Sequence, residues 1–142
     1  IAKETWEIYR EKCEFLGGHF TWDFSGTGTV HLVKPYMDNI FQNMLSNSLK
    51  YIRPGIPPQI HFKGELKDGI LHLAFSDNGL GIDLATNRSK LFGIYQRFNP
   101  KAAEGNGLGL YLIRLQVEKM KGHIDVQSEL NAGTTFTISI PV

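Results

Sequence analysis

Three asparagines four residues apart, Asn39, Asn43 and Asn47, run through the stretch NIFQNMLSNSLKY at residues 39–51. On a helix that spacing stacks side chains along one stripe, and Lys50, three residues beyond Asn47, extends it. Asparagine forms helices poorly because its short amide competes for nearby backbone groups. The ladder therefore costs helix stability and points to a task, and amide oxygens beside an ammonium suit a metal-bound polyphosphate. A second signal sits in ILHLAFSD at 70–77. Leu71, Leu73 and Phe75 share one strand face, and parity puts Asp77 on the same face at the strand end. A buried carboxylate is costly without donors. An adenine amino group would satisfy it, and a plain Asp-Asn-Gly turn is the alternative.

Two glycine-rich stretches follow. In DNGLGID, Gly79 and Gly81 allow a sharp turn and the close approach of a flat ligand. In EGNGLGLYL, Gly105, Gly107 and Gly109 stand just before a helix, where free backbone amides and the positive dipole end favour phosphate. No Gly-Lys-Ser/Thr follows, so this is not a Walker A loop, and the preceding PKAAE is not the strand that a dinucleotide fingerprint requires. A loop leading into a core helix is the alternative.

Periodicity predicts the elements that must position these residues. Trp6, Tyr9, Cys13 and Leu16 recur at helical spacing over 4–16 and stop at Gly17-Gly18, and HFTWDF then alternates as a strand. Met37, Ile40, Phe41, Met44, Leu45 and Leu49 give the asparagine helix, 37–51, an apolar face, and RPGIPP ends it. QIHFKGEL and ILHLAFSD form a hairpin about KDG. Leu110, Ile113, Val117 and Met120 share one face of a helix that ends at Gly122. HIDVQSEL and TTFTISIPV pair about NAG, with Ile124, Val126, Phe136, Ile138 and Ile140 inward. These elements predict an α/β two-layer sandwich: a mixed, mostly antiparallel sheet, wet on one face and covered by helices on the other.

The 142 residues, 42% hydrophobic and 20% charged, suit a single domain with a substantial core. A net charge of +1 gives no broad field for nucleic acid or an anionic membrane. The lone Cys13 rules out an intrachain disulfide and a cysteine-based zinc site. The five histidines, at 19, 31, 61, 72 and 123, have no close metal-ligand spacing. The first residue is Ile1 rather than methionine, which predicts a piece of a longer protein, with residues 1–18 a helix or linker from a preceding domain and 19–142 the core.

The asparagine helix, the Asp-x-Gly-x-Gly turn and the Gly-x-Gly-Leu-Gly-Leu helix start, in that order, resemble the N, G1 and G2 boxes of the GHKL ATP-binding superfamily. NMLSNSLKY together with KLFGIYQRF resembles the catalytic ATP-binding domain of bacterial sensor histidine kinases, from about residue 20 to the C-terminus. The resemblance implies that Asn47 gives its amide oxygen to Mg²⁺ and that Asn43 assists at the phosphates or the metal's water shell. Hydrolytic members of the superfamily hold a glutamate at the position of Asn43, so its amide favours phosphoryl transfer over hydrolysis. Lys50 would reach the phosphates and Tyr51 would pack on adenine. Asp77 would bind the adenine amino group, with clearance from Gly79 and Gly81 and an apolar contact from Ile82. Gly105, Gly107, Leu108, Gly109 and Leu110 would line the phosphate end, and Gly133 and Thr134 would complete the adenine end. Phe92 and Tyr95 match the aromatic positions of the F box. Arg97 matches its basic residue and could meet the γ-phosphate. NPKAAE, 99–104, would form a lid in which Lys101 could touch phosphate.

The function implied is that of a Mg²⁺·ATP-binding domain that donates the γ-phosphoryl group to a histidine on a separate dimerisation domain, with a response regulator reached indirectly. The acceptor histidine's helical setting is absent from this sequence. The resemblance also implies a cytoplasmic domain, monomeric alone and homodimeric in a parent that could be anchored in the inner membrane. A serine kinase of the same superfamily, an ATP-driven clamp and a degenerate nucleotide- or partner-binding module are the alternatives. Asn43 and the short lid argue against the clamp, and the intact Asn47, Asp77 and glycine boxes argue against the degenerate module.

Overall fold

The computed structural model describes residues 3–87, 91–92 and 109–142. The described elements run α1 (Lys3–Phe15), β1 (His19–Gly26), α2 (Lys34–Lys50), β2 (Gln59–Lys67), β3 (Ile70–Asp77), a single turn α3 (Leu84–Asn87), α4 (Gly109–Lys119), β4 (His123–Glu129) and β5 (Gly133–Pro141). The strands form one sheet in the order β1-β2-β3-β5-β4. β1 and β2 are parallel, and every other pair is antiparallel. The mixed sheet expected from the alternation patterns is therefore present. No described helix is long and apolar enough to cross a membrane.

Register explains how the sheet builds its core. Trp22, Phe62, Phe75, Phe136 and Val126 lie side by side across all five strands. Gly64, Leu73, Ile138 and Ile124 form the next row across the four strands β2 to β4. This face carries Phe62, Phe75, Ile138 and Ile140 fully buried. Ile40, Met44 and Leu45 of α2, with Ile113 and Val117 of α4, complete the core from the helical side. Their i, i+4 spacing is the apolar stripe that made both segments helical. The opposite face is polar, with Thr21 against His61 and Ser76 against Thr135. All five histidines are exposed.

The N-terminal helix shares this core. Trp6 lies within about 6 Å, centroid to centroid, of Phe20, Trp22, Phe24, Phe41 and Phe62. Cys13 is fully buried on the same side, so residues expected to form a helix or linker from another domain are packed into this one. The expected stripe runs one residue too far. Leu16 follows the last helical residue and is half-exposed, because the chain turns there toward β1. α2 begins three residues before the expected Met37, since Pro35 in its first turn is preset for helical φ and lacks only an amide hydrogen that has no partner there. α4 stops at Lys119, and Lys121 rather than Gly122 takes the left-handed φ, 60°.

Candidate functional site

The row that ends the sheet is where apolar packing gives way to polar atoms. Phe20, Ile60, Asp77, Thr134 and Ser128 are aligned across the strands. Phe20 and Ile60 continue the core, while the next three positions carry a carboxylate and two hydroxyls. Asp77 therefore ends β3 on the core face, as parity required. Its Oδ1 accepts the Gly79 N–H at 2.9 Å. Burial pushes its carboxyl from the ordinary 3.8 up to about 6, against the opposing pull of the Gly79 and Thr134 backbone amides. An open cleft of about 370 Å³ lies here, lined in part by Asp77, Ser128, Gly133 and Thr134. A larger apolar groove of about 710 Å³ runs between α1 and α2 past Tyr9, Phe15 and Leu49. Its lining is largely apolar, whereas the smaller cleft carries the carboxylate and the two hydroxyls that end the core face.

Three segments hold the Asp77 turn in place. The Leu80 N–H donates to the Tyr51 carbonyl at the end of α2, and the Asn131 N–H donates to the Leu80 carbonyl, both at 2.8 Å. Arg53 donates through Nε to the Asn78 carbonyl at 2.8 Å and through Nη1 to the Asn131 carbonyl at 2.6 Å. Its guanidinium thus joins the turn to the β4–β5 hairpin. Ser128 Oγ accepts the Ile82 N–H, donates to the Gly133 carbonyl and lies 2.8 Å from Thr134 Oγ1. Gly81 has φ +74°, and a Cβ there would overlap the Glu129 carbonyl oxygen. The close approach that this glycine permits is thus to the hairpin backbone, whereas the sequence suggested a ligand.

The ladder on α2 divides into two functions. Asn39 Nδ2 donates to Gln116 Oε1 on α4 at 2.7 Å. Asn43 Nδ2 donates to both the Asn39 carbonyl and Asn39 Oδ1 at 2.9 Å. The first rung therefore bonds α2 to α4, and the second is tied back to the first within α2. Asn47 is partly exposed, and its side chain makes no hydrogen bond among the described residues. Lys50 is exposed and turns toward the α1 groove.

The other predicted site residues are distributed as follows. Tyr51 caps α2, half-buried. Gly79 is buried beneath Tyr51, whose carbonyl oxygen a Cβ would strike. Ile82 points into the core, so any ligand contact from it would be marginal. Gly109 opens α4 directly against Asn43, and Leu110 packs on the core edge. Phe92 meets Phe136 edge-on at 6.4 Å. Tyr95, Arg97, Lys101, Gly105, Gly107, Leu108 and the lid 99–104 lie outside the described residues.

Sequence reasoning missed Ser128, Arg53 and Gln116. Ser128 had a signal, because it is the next inward position after Ile124 and Val126 and breaks the apolar parity as Asp77 does. Arg53 had none, since it follows the end of a helix in an irregular segment. No group of three His, Cys, Asp or Glu side chains among the described residues could hold a metal ion. A cation at this end of the molecule would have to be held by amide oxygens and its own ligand's oxygens. That is the habit of Mg²⁺, which binds through few protein groups plus phosphates, and Asn47, whose amide makes no hydrogen bond among the described residues, fits it.

An acid closing the core face of a mixed sheet, beside a helix that presents amides, defines an α/β nucleotide-binding type of site. Residues 33–142 match the model of the histidine kinase-, DNA gyrase B- and HSP90-like ATPase family, and the chain belongs to that family. The sensor protein SrrB of Staphylococcus aureus is 30% identical over 139 residues, a match that covers 94% of this chain and 23% of the relative. The chain thus spans about a quarter of the length of the curated relatives it matches. Among solved structures, full-length ShkA in complex with AMPPNP superposes with a TM-score of 0.80 at 22% identity, covering 95% of this chain and 28% of that one. The catalytic domain of the histidine kinase ThkA gives 0.80 at 20%, covering 98% and 90%. The mycobacterial sensor histidine kinase MprB gives 0.76 at 23%, covering 97% and 91%. These structural likenesses establish the fold.

Proposed function

We infer that the chain is the Mg²⁺·ATP-binding catalytic domain of a sensor histidine kinase, donating the γ-phosphoryl group to a histidine on a separate dimerisation domain. The observation that carries the reading is the alignment of Asp77, Thr134 and Ser128 at the end of the core face. This leaves one hydrogen-bonded acid facing a cleft, suited to an exocyclic amino group. Family membership and the relation to a sensor protein support the rest.

In this reading Asp77 and Thr134 bind adenine at one end of the site, with Tyr51 packed beside it and Gly79, Gly81 and Ile82 shaping the turn. Asn47 would hold Mg²⁺, which would supply charge neutralisation at the phosphates. Asn43 and Lys50 face the phosphates, Lys50 by swinging away from the α1 groove. Gly109 and Leu110 supply the helix start beside them, and Gly105, Gly107 and Leu108, which precede it in sequence, would offer backbone amides to the phosphates. Arg97 and Phe92 act from the segment that follows α3. No described residue offers a base at the position of Asn43, so the work left to this chain is orientation and charge neutralisation. The response regulator receives the phosphoryl group from the histidine domain. In this reading the parent protein is a homodimer and this domain works in the cytoplasm.

The test is transfer of label from γ-labelled ATP to the histidine-bearing helical domain of the full-length protein. Transfer should occur with the parent chain and be lost in Asn47→Leu and Asp77→Ala. Transfer that survives both substitutions would refute the assignment.

A further inference from the structure

The bonding of the asparagine ladder carries a consequence for Asn43 that its residue type alone does not. A neutral amide can present either its oxygen or its NH₂ group, and its neighbours decide which. Here the NH₂ of Asn43 is committed twice, to the Asn39 carbonyl and to Asn39 Oδ1. The Asn39 carbonyl can only accept, so it sets which way the Asn43 amide faces. The Asn39 side chain holds the second Asn43 NH₂ proton through Oδ1, while its own NH₂ is drawn the other way, to Gln116 Oε1 on α4. The remaining Asn43 atom, Oδ1, faces Gly109 at the first turn of α4, where even a Cβ would come within 2.9 Å of it. Among the described residues nothing donates to that oxygen.

We propose that Gln116 and Asn39 are positioning residues that steady the Asn43 amide, already turned by the Asn39 carbonyl, so that it holds an oxygen, an acceptor, toward the start of α4. This inference rests on the nucleotide-site reading of that region. An acceptor there repels bare phosphate oxygens and suits the hydrogens of water molecules around a bound divalent cation. The relay therefore selects for the metal-bound form of the nucleotide over the free polyphosphate. It also links the position of α4 to the chemistry at α2, because α4 carries the Gln116 acceptor and the Gly109 backbone together.

Two variants separate this role from simple packing. Gln116→Met keeps length and helix propensity but removes the acceptor, whereas Gln116→Glu keeps an acceptor for Asn39. Asn39→Leu breaks the same link from α2 and serves if Gln116→Met does not fold. The first readout needs no nucleotide: side-chain ¹⁵N–¹H spectra of the chain should show the Asn39 and Asn43 NH₂ protons slowed in exchange. The slowing of the Asn39 protons should be lost in Gln116→Met and kept in Gln116→Glu, and that of the Asn43 proton bonded to Asn39 Oδ1 should be lost in Asn39→Leu. The second is the ratio of ATP affinities measured calorimetrically with and without Mg²⁺. It should fall on the order of ten-fold in Gln116→Met, the usual consequence of losing a partner that orients a metal-site group, and persist in Gln116→Glu. Combining Gln116→Met with Asn39→Leu should add little to either alone. Fast exchange of both amides in the parent chain, or an unchanged affinity ratio in Gln116→Met, would overturn the relay. A parent chain that keeps slow amide exchange but binds no Mg²⁺·ATP would instead overturn the nucleotide-site reading and the selectivity built on it.

Discussion

Replacing Asp77 by asparagine should make the protein more stable at neutral pH. The carboxyl is raised from 3.8 to about 6 by burial, so between those values the folded state binds a proton that the unfolded state has released. Stability therefore falls as pH rises through this window and stays reduced above it. At ~1.4 kcal/mol per pH unit, the burden on the parent chain above pH 6 is about 3 kcal/mol. Asparagine keeps an oxygen for the Gly79 amide but weakens the pull exerted by the Thr134 amide, which returns roughly 1 kcal/mol. The variant should thus be more stable by about 2 kcal/mol at pH 7.5, with the advantage vanishing near pH 4. Urea denaturation of both proteins at pH 4.0, 5.0, 6.0 and 7.5 measures this directly, because subtracting the curves cancels every other titrating group. A difference that does not change with pH, or a variant less stable at pH 7.5 than the parent, would refute the claim that a buried, desolvated acid closes β3. Retention of a residue that burdens the fold is what a binding role for it explains.

Three further outcomes follow from particular contacts. Gly81→Ala should cost about 1–3 kcal/mol for its left-handed backbone alone, and more from overlap with the Glu129 carbonyl; thermal melts would show it, and an unchanged midpoint would mean that the turn is not held as described. Arg53→Met should destabilise by about 1.5–3 kcal/mol, since two carbonyls lose a charged donor, and should speed amide exchange at Asn131 and Leu80 more than at core residues. Cys13 is fully buried with its thiol pushed up from 9.0 to about 11, so alkylation at pH 8 should run at least ~100-fold slower in the native chain than in urea. Equal rates would place α1 off the core.

Much of the fold was legible because both periodicities were strong. The alternation in β3 to β5 placed Leu71, Leu73, Phe75, Ile124, Val126, Phe136, Ile138 and Ile140 on the buried face, and it placed Asp77 there too, since a two-residue period has no freedom once Leu71, Leu73 and Phe75 are buried. The same rule, extended to Ser128, would have recovered the hydroxyl that ties Ile82 to Thr134. The asparagine ladder was read as a single wall, yet its first rung bonds α2 to α4 and its second is tied back to the first. The distinction depends on Gln116, 77 residues beyond Asn39, and no local pattern reports a pairing over that distance. Gly79, Gly81 and Gly109 illustrate the same limit. Sequence shows that a side chain is excluded, while only the fold shows that the excluding neighbour is Tyr51, Glu129 or Asn43.

The central claim, that the Asp77 end of the sheet and the Asn47 amide form one nucleotide site, is tested most directly by calorimetric titration of the chain with ATP. The titration is run with and without Mg²⁺, on the parent, Asp77→Ala and Asn47→Leu. The account predicts binding that Mg²⁺ strengthens, lost in the first variant and stripped of its metal dependence in the second. Binding that both variants retain, or no binding by a folded parent at millimolar ATP, would contradict it.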